Sequence, residues 1–193
     1  MKEEPEMDFE KLLKDSWDKY IPEIVNLILF AFVGMLLCMT VILIPVAMAG
    51  MAIGFLGYVR DGRKPEFSEL WSHWDKYISV LLLMIIAGFI VAVGYMLFII
   101  PGMLLSTIWL YSLYFVVDKD MGFWGAMKAS QDAVKATGLG NNFVVFLLIA
   151  GINSLGSAAA GFGAILTFPF TMLLLTNAYL VASKTNQGDN VPA

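Results

Sequence analysis

No Asp, Glu, Lys, Arg or His occurs in residues 24–59, 77–117 or 136–183 of this chain. These charge-free tracts are 36, 41 and 48 residues long. They exclude an ordinary soluble globule. Only 15% of residues are charged and 59% are hydrophobic, whereas a soluble domain carries roughly 25% charge. Histidine is nearly missing: His73 stands alone, and a metal or base–nucleophile site normally needs several convergent groups. A solvated or headgroup-level imidazole is the plain reading. Cys38 is the single cysteine, so no intramolecular disulfide forms. With no cation near it in sequence, it reads as a small buried hydrophobe. No segment is polybasic. The net charge of −4 arises within residues 1–23, where four Lys meet eight acids; 60–76, 118–135 and 184–193 each sum to zero. That excludes a nucleic-acid footprint and argues against strong attraction to anionic lipid heads. Phosphate-cradling glycine loops, nucleophile elbows and zinc-ligand spacings are also missing, so no catalytic residue, cofactor site or metal site is assigned. The acidic start, Met1-Lys2-Glu3-Glu4, is unlike a secretory signal peptide, and the first apolar run is expected to stay as an anchor.

What is present is apolar length. A membrane-crossing helix needs about 20 apolar residues, so each tract is nearly two crossings. Each also holds a proline: Pro45, Pro101 and Pro169. Proline breaks a helix interior but suits the first turn of a new helix. The expected outgoing legs are therefore 24–44, 78–100 and 142–163, with return legs after each proline. The fold class is an all-α membrane protein with six transmembrane helices in three hairpins. The hairpin units run over about 7–60, 65–118 and 122–184, in a single domain between a flexible acidic stretch (1–6) and a disordered polar tail (185–193). Trp17-Asp18-Lys19-Tyr20-Ile21 recurs as Trp74-Asp75-Lys76-Tyr77-Ile78, and Pro45 to Tyr58 matches Pro101 to Tyr114 at 13 residues. Such self-similarity marks a partial internal repeat.

Each hairpin is preceded by a segment with helical amphipathic spacing. The apolar stripes are Phe9, Leu12, Leu13, Trp17, Tyr20, Ile21; then Phe67, Leu70, Trp71, Trp74, Tyr77, Ile78; and, more weakly, Phe123, Met127, Ser130, Val134. These segments read as interfacial helices, or alternatively as a small cap packed on itself. Trp17, Tyr20, Trp71, Trp74, Tyr77 and Trp124 are the expected headgroup-level anchors, since such rings are apolar with one polar atom. Lys and Arg avoid the hairpin tips, so both termini are expected on the cytoplasmic side of the inner membrane. Asp118 and Asp120, flanking Lys119, read as a solvated boundary.

Small residues permit close helix approach in lipid. Gly50, Gly54 and Gly57 in one return leg, and Gly151, Gly156 and Gly161 in the fifth leg, are the candidate packing positions. The intramembrane polar residues are uncharged, which counts against an ion- or proton-coupled pump. Asn153, Ser154, Ser157 and Asn177 are the candidate lining of a polar path, weighed against plain interhelical hydrogen bonds.

Four motifs occur in order, Gly62-Arg63-Lys64-Pro65-Glu66-Phe67-Ser68-Glu69-Leu70-Trp71, Ile99-Ile100-Pro101-Gly102, Val117-Asp118-Lys119 and Ala126-Met127-Lys128-Ala129-Ser130, within a resemblance that covers roughly 55–180. Through them the chain resembles a group of bacterial and archaeal integral membrane proteins of unknown function. The group includes the membrane domain of some glycerophosphodiester phosphodiesterases. The resemblance implies a six-helix inner-membrane domain and transfers no catalytic residue. The function expected is a non-enzymatic scaffold that organises lipid or a partner, membrane shaping being one version of it. A passive channel or permease for a small uncharged solute is the alternative. Expected partners are membrane lipids, with a homo-oligomer or a protein at the cytoplasmic face as further options, and no nucleic acid.

Overall fold

A computed structural model describes residues 7–158 and 162–188. Its described residues form ten α-helices and no strand: α1 (Phe9–Tyr20), α2 (Ile24–Cys38), α3 (Ile44–Asp61), α4 (Glu69–Ser72), α5 (Tyr77–Leu97), α6 (Ile99–Ile108), α7 (Ser112–Lys119), α8 (Phe123–Ala136), α9 (Leu139–Ala158) and α10 (Phe162–Gly188). Five helical stretches are long and apolar enough to cross a membrane: Val41–Asp61, Trp74–Leu97, Ile99–Lys119, Leu139–Ala158 and Gly163–Thr185. The chain is an all-α multi-pass membrane protein. A sixth is reached only if α1 and α2, bent by 92° at their junction, count as one broken span; α2 alone is short. Its 15 residues span only about 22 Å at 1.5 Å per residue, short of a hydrocarbon core of about 30 Å.

Local chemistry sets the boundaries. The Asp8 carboxylate accepts the Lys11 N–H at 2.9 Å and starts α1. Pro22 follows Ile21 and offers no N–H, so α1 stops there. Pro45 lies in the first turn of α3, and Gly62 ends that helix with φ +69°, a conformation glycine adopts without steric cost. Pro101 lies in the first turn of α6.

Four expectations are corrected. The first outgoing leg ends at Cys38, not at residue 44. Pro169 does not break the third hairpin; it lies inside α10, and the change of helix falls between Ala158 and Phe162. The second amphipathic segment is not one helix but the single turn α4, a kink at His73 and a 3-10 turn over Trp74–Lys76. The polar tail does not begin at 185, because α10 continues to Gly188. The repeated pentapeptide also adopts two structures. Its first copy ends α1 before a sharp turn, whereas its second runs directly into α5. The residue after Ile21 is Pro22, while the residue after Ile78 is Ser79, which keeps its N–H.

Two apolar clusters form the interior. One joins Val80, Tyr111, Tyr114, Val134, Val145 and Tyr179. The other joins Leu27, Phe30, Met51, Phe55, Leu70 and Leu173. α10 contributes to both, and it packs on α1, α2, α3, α8 and α9.

Candidate functional site

The charged connections gather at one end. Lys64 pairs with Glu23 at 2.7 Å, and Arg60 with Asp118 at 2.7 Å. Lys76 pairs with Asp120, and Lys19 donates to the Val59 carbonyl at 2.8 Å. These contacts bring together the start of α2, the ends of α3 and α7, and the lead into α5. The Glu23 carboxyl is held below its usual range, first by hydrogen bonding from Lys64 and then from Asn26. Partial burial lowers the Lys19 ammonium, an effect that Asp15 opposes.

The loop after α3 folds back over the first hairpin. Arg63 pairs with Glu69 at 2.5 Å, and Glu69 also accepts the Glu66 N–H at 3.2 Å. α3 admits this loop because three positions lack a side chain. A Cβ at Gly50 would stand 2.6 Å from Leu70 Cα, one at Gly54 2.5 Å from the Phe30 ring, and one at Gly57 2.6 Å from the Arg63 guanidinium. These glycines do pack closely, but chiefly against a loop and a side chain of α2. Gly156 packs against Thr167 and Gly163 across α9 and α10. Gly151 does not pack; a Cβ there would meet nothing within 4 Å. Gly161 lies outside the described residues. Spacing alone did not mark Gly102, where a Cβ would stand 2.5 Å from the Tyr95 ring.

Asp118, expected at a solvated boundary, instead belongs to a second polar centre. The Asp118 side chain is only 6% exposed. It accepts from Arg60 at 2.7 Å and from the Tyr179 hydroxyl at 2.6 Å. Tyr179 stacks on Tyr114 with centroids 5.0 Å apart, and Tyr114 shares a 2.8 Å hydrogen bond with Thr176. Next to them the Tyr111 hydroxyl donates to Asn142 at 2.7 Å, and Asn142 donates to Thr137 at 2.7 Å and to the Gly138 carbonyl at 2.7 Å. α3, α7, α8, α9 and α10 are thus cross-linked through polar atoms in an apolar interior, where unmade bonds are costly. Asp120 alone behaves as the expected boundary, with its side chain 84% exposed.

The aromatic anchors divide. Trp17, Trp71, Trp74 and Trp124 are half or more exposed, as a headgroup position requires. Tyr77 is half-buried and stacks on Trp74 at 5.7 Å. Tyr20 is corrected: it is buried and donates to the Leu166 carbonyl at 2.8 Å, fastening α1 to α10. Asn177 supports the same docking by donating to Ser16 at 2.9 Å.

The four candidate path residues are not brought to one lining. Asn153 bonds Thr171 at 3.1 Å and accepts from Thr167 at 3.4 Å, which ties α9 to α10. Ser154 and Ser157 are exposed on α9, and Asn177 is engaged with α1. Asn153 is therefore an interhelical tie. Asn153→Leu is expected to cost about 0.6–1 kcal/mol of stability, seen as a small drop in melting temperature in detergent; a collapse of the fold would contradict this.

Two clefts flank Arg60. One, of about 340 Å³, is lined by Arg60, Arg63, His73, Lys76 and Asp118, and the buried His73 Nε2 has no hydrogen-bond partner among the described residues. The other, of about 620 Å³, lies between α1 and α10. No family model matches this chain, and comparison with curated proteins and with solved structures returns no significant match.

Proposed function

We propose that this protein is a non-enzymatic scaffold of the cytoplasmic (inner) membrane that organises lipid and shapes the bilayer by filling one leaflet more than the other. The carrying observation is the contrast between its two ends. At the charged end, α1 lies at 92° to α2, and α8, amphipathic and half-buried, adds a second surface segment. Exposed tryptophans belong to this end. At the tips of the first two hairpins the exposed residues are Met39, Val41 and Ile42, then Met96, Phe98, Ile99 and Ile100; Met39 is 81% and Met96 87% exposed. Side chains of this kind favour hydrocarbon over water. Amphipathic segments at the polar end and apolar exposed tips at the other would load the two leaflets unequally. The Lys and Arg distribution supports a cytoplasmic position for that polar end and for both termini. The resemblance to the uncharacterised membrane-domain group is part of this reading.

The alternative is a passive permease for a small uncharged solute; against it, Asn153 ties α9 to α10 and Asn177 is engaged with α1. Reconstitution separates the two. Liposomes holding an entrapped dye and carrying the protein are expected to deform into tubules or small vesicles under electron microscopy while retaining the dye. Dye or small-solute release without deformation would instead establish the permease.

A further inference from the structure

The cleft between α1 and α10 has a composition that no single segment of the chain shows. Its lining brings four cations, Lys11, Lys19, Arg60 and Lys184, to face two carboxylates, Asp8 and Asp15. They come from three helices that are far apart in sequence. The protein as a whole carries −4, so this excess of positive charge is local and runs against the net charge.

The cations are also incompletely compensated. Arg60 is engaged by Asp118, but Lys11, Lys19 and Lys184 form no ion pair among the described residues. The Lys19 ammonium is half-buried and bonds only a backbone carbonyl, that of Val59. Asp8 caps α1 and Asp15 acts on Lys19. With Asp8, Asp15 and Asp118 set against Lys11, Lys19, Arg60 and Lys184, an entering anion still meets a net charge of +1.

Beside the cations lie Leu12, Val59, Leu180 and Val181. Inorganic phosphate would leave that apolar wall in water, and it would fill little of a 620 Å³ cleft. An amphiphile with an anionic head satisfies both parts. With α1 interfacial, as in the proposed function, the cleft lies at headgroup depth. We propose that this cleft binds the phosphate headgroup of an anionic phospholipid, with Lys11, Lys19 and Lys184 facing the phosphate and the α10 residues Leu180 and Val181 receiving the upper acyl chain. The inference rests on the interfacial placement of α1 in the proposed function, and it names the lipid class of that scaffold.

The test uses delipidated full-length protein in neutral detergent, titrated with dioctanoyl phosphatidylglycerol, dioctanoyl phosphatidylcholine or sodium phosphate, with thermal shift and native mass spectrometry as readouts. Phosphatidylglycerol alone is expected to raise the melting temperature and to remain bound. Lys11→Gln with Lys184→Gln keeps every hydrogen bond that docks α1, and should weaken phosphatidylglycerol binding about 25-fold, taking roughly fivefold per lysine. Lys128→Gln with Lys135→Gln removes the same charge from α8 and should leave binding unchanged. An equal response to phosphatidylcholine overturns the proposal. So does an equal response to free phosphate, or equal weakening by the two lysine pairs. Vesicle deformation that occurs in pure phosphatidylcholine with no phosphatidylglycerol binding would sink this inference and leave the scaffold reading intact. Binding without deformation would do the reverse.

Discussion

Gly50→Leu is expected to unseat the loop over the first hairpin and to destabilise the protein by about 3 kcal/mol or more, at or above the usual cost of overpacking. The obstruction is backbone: even a Cβ at this position would stand 2.6 Å from Leu70 Cα and 2.7 Å from the Glu69 carbonyl carbon. A side chain tip could swing aside, but a main-chain atom held in a turn cannot. Displacing that turn also moves Glu69 away from Arg63 and withdraws Leu70 from the second apolar cluster. Gly151→Leu is the matched control. It adds the same side chain to a membrane helix, but in open space, and should change stability by no more than about 0.5 kcal/mol. Thermal unfolding of both variants in the same detergent decides the matter, and equal melting temperatures would show that the close approach at Gly50 has no energetic weight.

Asp118→Ala should cost about 2–3 kcal/mol. Breaking a buried ion pair from one side typically costs about 3–5 kcal/mol. Here the Arg60 side chain is 41% exposed, so water recovers part of the loss. The larger share comes from the Tyr179 hydroxyl, which loses its 2.6 Å acceptor inside a buried aromatic cluster. Tyr179→Phe removes only the donor and should cost about 1 kcal/mol. Because both changes delete the same bond, the double variant should be less destabilised than the sum of the two. Strict additivity in denaturation experiments would mean that the two groups act independently.

Much of the architecture was legible because lipid imposes a coarse rule. Charge is excluded over a crossing's length, so the three neutral tracts mark where helices run. Pro45 and Pro101 mark where two of them begin, each in a first turn where its missing N–H costs nothing. The same rule misled at Pro169. Within membrane helices a proline is tolerated when neighbouring groups satisfy the freed backbone, and sequence does not reveal the neighbour. The segment 67–78 has helical spacing, but Glu69 is drawn inward by Arg63 and the helix breaks at His73; tertiary contacts outweigh local preference. Asp118 looked like the edge of a neutral tract because its partners, Arg60 and Tyr179, lie 58 and 61 residues away. For the same reason the cations around the α1–α10 cleft are invisible to any count made segment by segment.

The proline within α10 has a mechanical corollary. Its missing N–H leaves the Ile165 carbonyl without an intrahelical donor, and the turn loosened there includes Leu166, whose carbonyl is the one held by the Tyr20 hydroxyl. The longest helix of the bundle thus has a weakened turn partway along, and the hydroxyl that grips this turn comes from α1. A displacement of α1 therefore bears directly on the one turn of α10 that has lost a backbone bond, through a single hydrogen bond.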